Sequence, residues 1–216
     1  MSLQIAPSIL SADFLHLEDD IRRIDDAASY IHLDIMDGLM VPNISFGFSV
    51  VDSLKGVFKS PLDAHLMVMN PQDWIERLAA DGVSMVSFHY EVSGKNTKAI
   101  IEKIHGCGMK AGIAINPDVP VNKLYRYIGL ADFFVVMSVF AGFGGQKFIY
   151  ESIDRISVLK KQIVRKGADT LIEVDGGVGL SNAGALREAG ADILVSGNSI
   201  FKSADPTAAV ASLRDA

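Results

Sequence analysis

Short runs of β-branched and aromatic residues recur along the chain, each followed by a stretch whose apolar positions return every three or four residues. Residues 4–9 predict a first strand, and residues 13–28 a helix with Leu15, Leu17, Ile21 and Ile24 on or near one face. A second strand follows over residues 30–36, then a loop holding Pro42 and a helix over 48–57. Residues 62–68 form the third predicted strand. Pro71 then opens a helix running to residue 80, proline being tolerated in a helix's first turn. Residues 83–89, 110–115, 133–139, 170–175 and 193–196 supply five more strands. Helices are predicted over 97–105, 121–127, 149–165 and 182–189, and the residues after 196 read as largely helical.

Repeated strand–helix alternation with near-continuous apolar strands is the pattern of a parallel sheet covered on both faces. An open doubly wound sheet would give the same alternation. Here, however, polar residues collect at the C-terminal ends of many different strands, and a closed barrel brings all those ends to one mouth. The 216 residues fit one such barrel, and no low-complexity stretch, charge block or linker interrupts them. The expected architecture is therefore α/β, a single (β/α)₈ TIM barrel spanning residues 1–216.

Composition narrows the function classes. With 49% hydrophobic and 21% charged residues the chain reads as a soluble globular protein. Its formal charge of −6 gives no electrostatic footprint for nucleic acid or an anionic membrane. Such a chain can still hold a phosphate if backbone N–H groups point at it. No apolar run approaches the roughly 18 residues of a membrane span. Residues 1–7 lack the basic and apolar regions of a signal peptide, so none is expected. The single cysteine, Cys107, rules out an intrachain disulfide framework and is expected to be inert, in keeping with a reducing, cytoplasmic location.

The chemistry concentrates in His32-Leu33-Asp34-Ile35-Met36-Asp37-Gly38. Strand periodicity puts His32, Asp34 and Met36 on one face, and Asp63, His65 and Met67 on one face of the next strand. The seventh strand ends in Glu173-Val174-Asp175-Gly176-Gly177, leaving Asp175 at the rim. Burying several ionisable groups is costly unless they pair or bind a metal. Two imidazoles and two carboxylates suit a borderline divalent ion such as zinc, manganese, iron or cobalt. Taken singly, a strand histidine is an ordinary hydrogen-bonded core residue and an aspartate orders a loop; the repetition over three strands favours the metal. Asp63 lies deeper than His65 and is read as structural. Met36, Met67 and Met137 are expected to line the pocket floor.

Glycines gather in the late loops: Gly142-Phe143-Gly144-Gly145-Gln146 after the sixth strand, Gly176-Gly177 after the seventh, and Gly197-Asn198 after the eighth. One such pair is only a tight turn. Three in successive loops let backbone N–H groups approach an anion, the usual phosphate position of a barrel. No P-loop signature is present, which argues against nucleotide hydrolysis.

These segments together resemble the ribulose-phosphate 3-epimerase family over essentially the whole chain. The matching stretches include Ala6 to Asp13, His32 to Gly38, Val41-Pro42-Asn43 and His65-Leu66-Met67-Val68. They continue through His89-Tyr90-Glu91, Asn116-Pro117, Val136-Met137-Ser138-Val139, Gly142 to Phe148 and Val174-Asp175-Gly176-Gly177. The resemblance implies a barrel of the ribulose-phosphate binding type and reversible 3-epimerisation of D-ribulose 5-phosphate and D-xylulose 5-phosphate through an enediolate. It implies one divalent ion per subunit, zinc first, with iron, manganese or cobalt as alternatives. By it, His32, Asp34, His65 and Asp175 are the ligands, and Asp34 and Asp175 double as the acid/base pair. Ser8, His65 and the three methionines face the substrate, and Gly142, Phe143, Gly144, Gly145, Gly176, Gly177, Gly197 and Asn198 hold the phosphate. A homo-oligomer is implied as well.

The chain departs from the family pattern at Leu39-Met40, Phe140-Ala141 and Asn198, residues that belong to loops around the distal sugar and phosphate. A ketohexose 6-phosphate such as D-allulose 6-phosphate is therefore the alternative substrate. Decarboxylase or aldolase chemistry on a related barrel would need an Asp-x-Lys-x-x-Asp third strand. Here that stretch is Asp63-Ala64-His65-Leu66-Met67-Val68. A non-catalytic phosphosugar-binding protein would be marked by loss of Asp34 or Asp175, and both are present.

Overall fold

Eight parallel strands form one sheet in the order β1-β8-β7-β6-β5-β4-β3-β2 in this computed structural model, which describes residues 3–216. Met1 and Ser2, which begin the segment not expected to be a signal peptide, lie outside the described residues. The strands are β1 (Gln4–Pro7), β2 (Ile31–Met36), β3 (Leu62–Met67), β4 (Val83–His89), β5 (Lys110–Ile115), β6 (Phe133–Met137), β7 (Leu171–Asp175) and β8 (Ile193–Ser196). A parallel bridge between Ser8 and His32 joins β1 to β2 and nearly closes the barrel. Helices α1 (Leu17–Ile24), α2 (Phe48–Leu54), α3 (Ile75–Ala80), α4 (Tyr90–Ser93), α5 (Thr97–Gly106), α6 (Glu151–Arg165), α7 (Leu180–Ala189), α8 (Asn198–Phe201) and α9 (Pro206–Asp215) complete the alternation. Among the described residues, no helix is long and apolar enough to cross a membrane.

Strand alternation divides the core in two. Outward residues such as Ile31, Leu33 and Ile35 of β2, Leu66 of β3 and Phe88 of β4 join the helices in the larger apolar layer, against Ile21, Ile24, Ile104, Ile156 and Leu186. The barrel interior is a smaller cluster around Ala6, Met85, Ala114, Phe133, Val135 and Ile193. Burying one such large side chain contributes about 1.5–3 kcal/mol, so the outer layer holds the helices to the sheet.

Three local expectations are corrected. The first helix begins at Leu17, because Asp13 Oδ1 accepts the Leu15 N–H at 3.0 Å and Asp20 Oδ2 accepts the Asp13 N–H at 2.8 Å. Those bonds hold a turn in place of helix, and Leu15 points to solvent rather than joining the apolar face. After β5 the chain forms a 3₁₀ helix, Val121–Tyr127, in place of an α-helix. Its buried Leu124 and Tyr127 stand three residues apart, the repeat of that tighter helix. The sixth strand ends at Met137, two residues short of the predicted 139.

Gly112 of β5 shows how tightly the interior is filled. A Cβ there would lie 2.3 Å from the Phe133 ring of the neighbouring strand. Gly112→Ala is expected to cost about 1–3 kcal/mol by overpacking. In urea denaturation this should appear as a lower midpoint at unchanged slope.

Candidate active site

The interior faces of β2, β3 and β7 carry the ionisable groups. Register pairs His32 with Asp63 and Asp34 with His65 across β2 and β3, while β7 contributes Glu173 and Asp175 on one face. His32, Asp34, His65 and Asp175 each offer a ligand atom, and those atoms all lie within 4.8 Å of one another. His32 Nε2 stands 3.5 Å from Asp34 Oδ1, and His65 Nδ1 stands 3.6 Å from the same oxygen and 3.3 Å from Asp175 Oδ2. Both nitrogens are buried without a hydrogen-bond partner among the described residues. Orphaned buried nitrogens facing two carboxylates are the donor set of a divalent cation, so the residues fit such an ion.

Three of the four ligand candidates are held from behind. His32 Nδ1 contacts Asp63 Oδ2 at 2.6 Å, which gives the structurally read Asp63 a partner and fixes the ring. Ser8 donates to Asp34 Oδ2 at 2.5 Å, leaving Oδ1 toward the two imidazoles. His65 uses its other nitrogen on His89, Nε2 to Nε2 at 3.0 Å. Burial opposes charge on Asp34, but His32 and His65 hold its carboxyl well below the usual carboxylate range. Burial likewise opposes protonation of His65, and hydrogen bonds and charge from Asp175 and Asp34 outweigh it, pushing the group up to about 9.

Three functional neighbours escaped the sequence reading as participants: Asp63 as the partner of His32, His89 behind His65, and Glu173 beneath the cluster. Glu173 is fully buried, and neither carboxylate oxygen has a hydrogen-bond partner among the described residues. It shares a strand face with Asp175, so its parity was the signal that could have found it.

Above the cluster lies a cavity of about 240 Å³. Asp34 and Asp175 reach its floor together with Met36, Met67 and Met137, and Ser8 lines one side. Gly142, Phe143, Gly144 and Gly145 form one wall, and Gly176, Gly177, Gly197 and Asn198 line it as well. His32 and His65 are fully buried below and do not line it. The Gly142–Gly145 wall is pinned by Gln146, whose Nε2 donates to Phe140 O and Phe143 O, and by Asn43 Nδ2 donating to Gly142 O. Gly177 has φ +64°, and a Cβ there would lie 2.8 Å from the Phe148 nitrogen. Only glycine lets these two loops touch.

Comparison with known proteins adds lineage to this geometry. A family model described as "Ribulose-phosphate 3 epimerase family" matches residues 4–201. The ribulose-phosphate 3-epimerase of Synechocystis sp. is 38% identical over 216 residues, covering 99% of this chain and 94% of that protein. The cytoplasmic isoform of Oryza sativa subsp. japonica is 40% identical, covering 98% of this chain and 92% of that one. The Bacillus subtilis ribulose-phosphate 3-epimerase is 39% identical with 98% of both covered. Among solved structures, KGPDC from Streptococcus mutans aligns with a TM-score of 0.75 at 10% identity, over 100% of this chain and 97% of that one. 3-Hexulose-6-phosphate synthase aligns at 0.71 and 16% identity, over 100% and 99%. These two likenesses show the barrel fold alone.

Glu173 gives the metal-free site a pH dependence. Burial, then the nearby Asp63 charge, raises its carboxyl well above the ordinary value of 4.5. The folded state therefore binds a proton that the unfolded chain releases, and this contribution to stability is full below about 4.5 and declines as pH rises. Glu173→Gln removes that titration. The metal-free variant is expected to gain on the wild type between acidic and neutral pH, with denaturation midpoints measured across that window as the check.

Proposed function

The chain belongs to the ribulose-phosphate 3-epimerase family, and we propose that it interconverts D-ribulose 5-phosphate and D-xylulose 5-phosphate. One observation carries the reading: Asp34 and Asp175, from strands that are not sheet neighbours, meet at the floor of one cavity beneath the glycine loops. Inverting C3 requires a proton to leave one face of the carbon and another to arrive on the opposite face. Two convergent carboxylates suit that exchange, and reversibility requires them to trade roles with direction.

Asp34 is held ionised by its imidazole neighbours and is oriented by Ser8, so it can take the proton through a fixed carboxylate. Asp175, at the edge of the cavity on the end of β7, is the partner that returns one. Met36, Met67 and Met137 pack around the reacting carbon without offering exchangeable protons. The loops of Gly142 to Gly145, Gly176-Gly177 and Gly197-Asn198 bind the phosphate, which fixes C3 between the carboxylates. His32, Asp34, His65 and Asp175 would hold one divalent cation, zinc first by donor type. When bound, that ion supplies Lewis-acid stabilisation of the negative charge that develops on the carbonyl oxygen.

A ketohexose 6-phosphate is the second reading, because three of the departures from the family pattern, Phe140, Ala141 and Asn198, line the cavity, whereas Leu39 and Met40 do not. The cytoplasm is the proposed location, supported by likeness to the cytoplasmic rice isoform and by the lone Cys107. A homo-oligomer is proposed on the family resemblance. It is supported by the exposed apolar side chains of Leu15, Leu39 and Ile44 on the loops after β1 and β2.

Epimerisation of D-ribulose 5-phosphate and D-allulose 6-phosphate should be measured in parallel, before and after chelation. The pentulose is expected to be preferred, with activity lost to the chelator and restored by zinc. Preference for the hexulose would reassign the substrate. Asp34→Asn and Asp175→Asn are each expected to lower turnover by about 10²–10⁴-fold. Near-wild-type rates in either folded, metal-loaded variant would sink the two-carboxylate scheme.

A further inference from the structure

A polar chain runs from the back of His65 to the mouth of the barrel. The His65 ring turns Nδ1 toward Asp34 and Asp175 and Nε2 toward His89 Nε2, 3.0 Å away. The two imidazoles stack with centroids 5.1 Å apart and planes 14° from parallel, both fully buried. Beyond them, His89 Nδ1 faces Glu91 Oε1 at 3.4 Å. The same oxygen accepts the backbone N–H of Asn116 at 2.9 Å and its side-chain Nδ2 at 2.8 Å. Asn116 Oδ1 accepts the backbone N–H of Ala141 at 2.9 Å, in the loop that lines the cavity.

Donor and acceptor chemistry gives this chain one consistent placement of protons. The Ala141 N–H can only donate, so Asn116 must present oxygen to it and its NH₂ to Glu91. An ionised carboxylate can only accept, so His89 Nδ1 carries the hydrogen. Neutral His89 is then left with a bare Nε2, and it must receive the Nε2–H of His65. His65 Nδ1 becomes the nitrogen whose lone pair is free to face a cation. Two rings stacked only for packing would not need their nitrogens aligned at hydrogen-bond distance.

We propose that Glu91 is a positioning residue: through His89 it fixes His65 as the tautomer that presents Nδ1 to a divalent cation. The proposal rests on the reading of His65 as a cation ligand. Glu91 itself lines neither the cavity nor the ligand cluster, so its action travels through the ring pair. Through Asn116, the same carboxylate oxygen also ties the cation cluster to the loop at Ala141.

The test uses ¹⁵N-histidine-labelled full-length protein, metal-free and zinc-loaded, as wild type, Glu91→Ala and Glu91→Gln. In the wild type, His89 should carry its proton on Nδ1 in both states, and zinc-loaded His65 should show Nδ1 ligated and Nε2 protonated. Folded Glu91→Ala should lose the Nδ1–H preference of His89 and bind zinc about 10–100-fold more weakly in competition with a chelator. Glu91→Gln, which keeps an acceptor oxygen in place, should restore both the tautomer and the affinity. His89 protonated on Nε2 in the wild type would overturn the proposal. So would intact zinc binding in the wild type that is unchanged in folded Glu91→Ala. A wild type with no affinity for zinc would instead remove the ligand reading itself, and the proposal with it.

Discussion

Ionisable groups placed inside a barrel must neutralise one another or be neutralised by an ion, and this constraint organises the molecule. His32, Asp34, Asp63, His65, Glu173 and Asp175 all sit in the interior, and four of them are fully buried. An uncompensated buried ion costs several kcal/mol, a large share of a domain's net stability. Each group therefore answers another: Asp63 to His32, Ser8 to Asp34, His89 to His65. Among the described residues, Asp63 Oδ1 and both Glu173 oxygens stay without a partner beneath the cluster, and two nitrogens stay without one at its centre. His32 Nε2 and His65 Nδ1 are left over, and both face the carboxylates of Asp34 and Asp175.

Barrel closure is what makes that meeting possible. β7 lies five strands from β2 in the sheet order, a separation of about 24 Å in an open sheet. Curling the sheet on itself puts Asp175 across the interior from Asp34. The apolar outer faces of the same strands hold the curvature, packed under α1 to α9. Phe133, packed against Gly112, belongs to an apolar cluster that fills the rest of the interior.

The two halves of the site are held by different means. The cluster is built on strands, where backbone pairing fixes each side chain. The cavity wall is built on loops, made firm by contacts such as Gln146 to Phe140 and Asn43 to Gly142. Asn116 belongs to both, bonded to Glu91 on the strand side and to Ala141 on the loop side. That arrangement keeps the glycine-loop wall and the carboxylate–imidazole floor in one mutual geometry, which the proposed proton transfer at a fixed carbon would require.

Much of this was legible in the chain itself. The two-residue repeat of His32-x-Asp34-x-Met36 and Asp63-x-His65-x-Met67 set which side chains share a face, because strand periodicity is a local property of the backbone. Late-loop glycines marked the cavity wall for the same reason, since φ and close approach are local demands. The sequence did not contain the pairings. That Asp63 serves His32 depends on the β2–β3 register, and that His89 backs His65 depends on where β4 lies against β3. Leu15 looked like part of an apolar helix face until the Asp13 turn unwound that end, and residues 121–127 carried a spacing that both helix types tolerate. Local sequence thus determined the elements, their inward faces and the chemical cast. Closure and register alone decided who touches whom, because contacts between strands remote in sequence are set by the packing of the whole barrel and are encoded in no single segment.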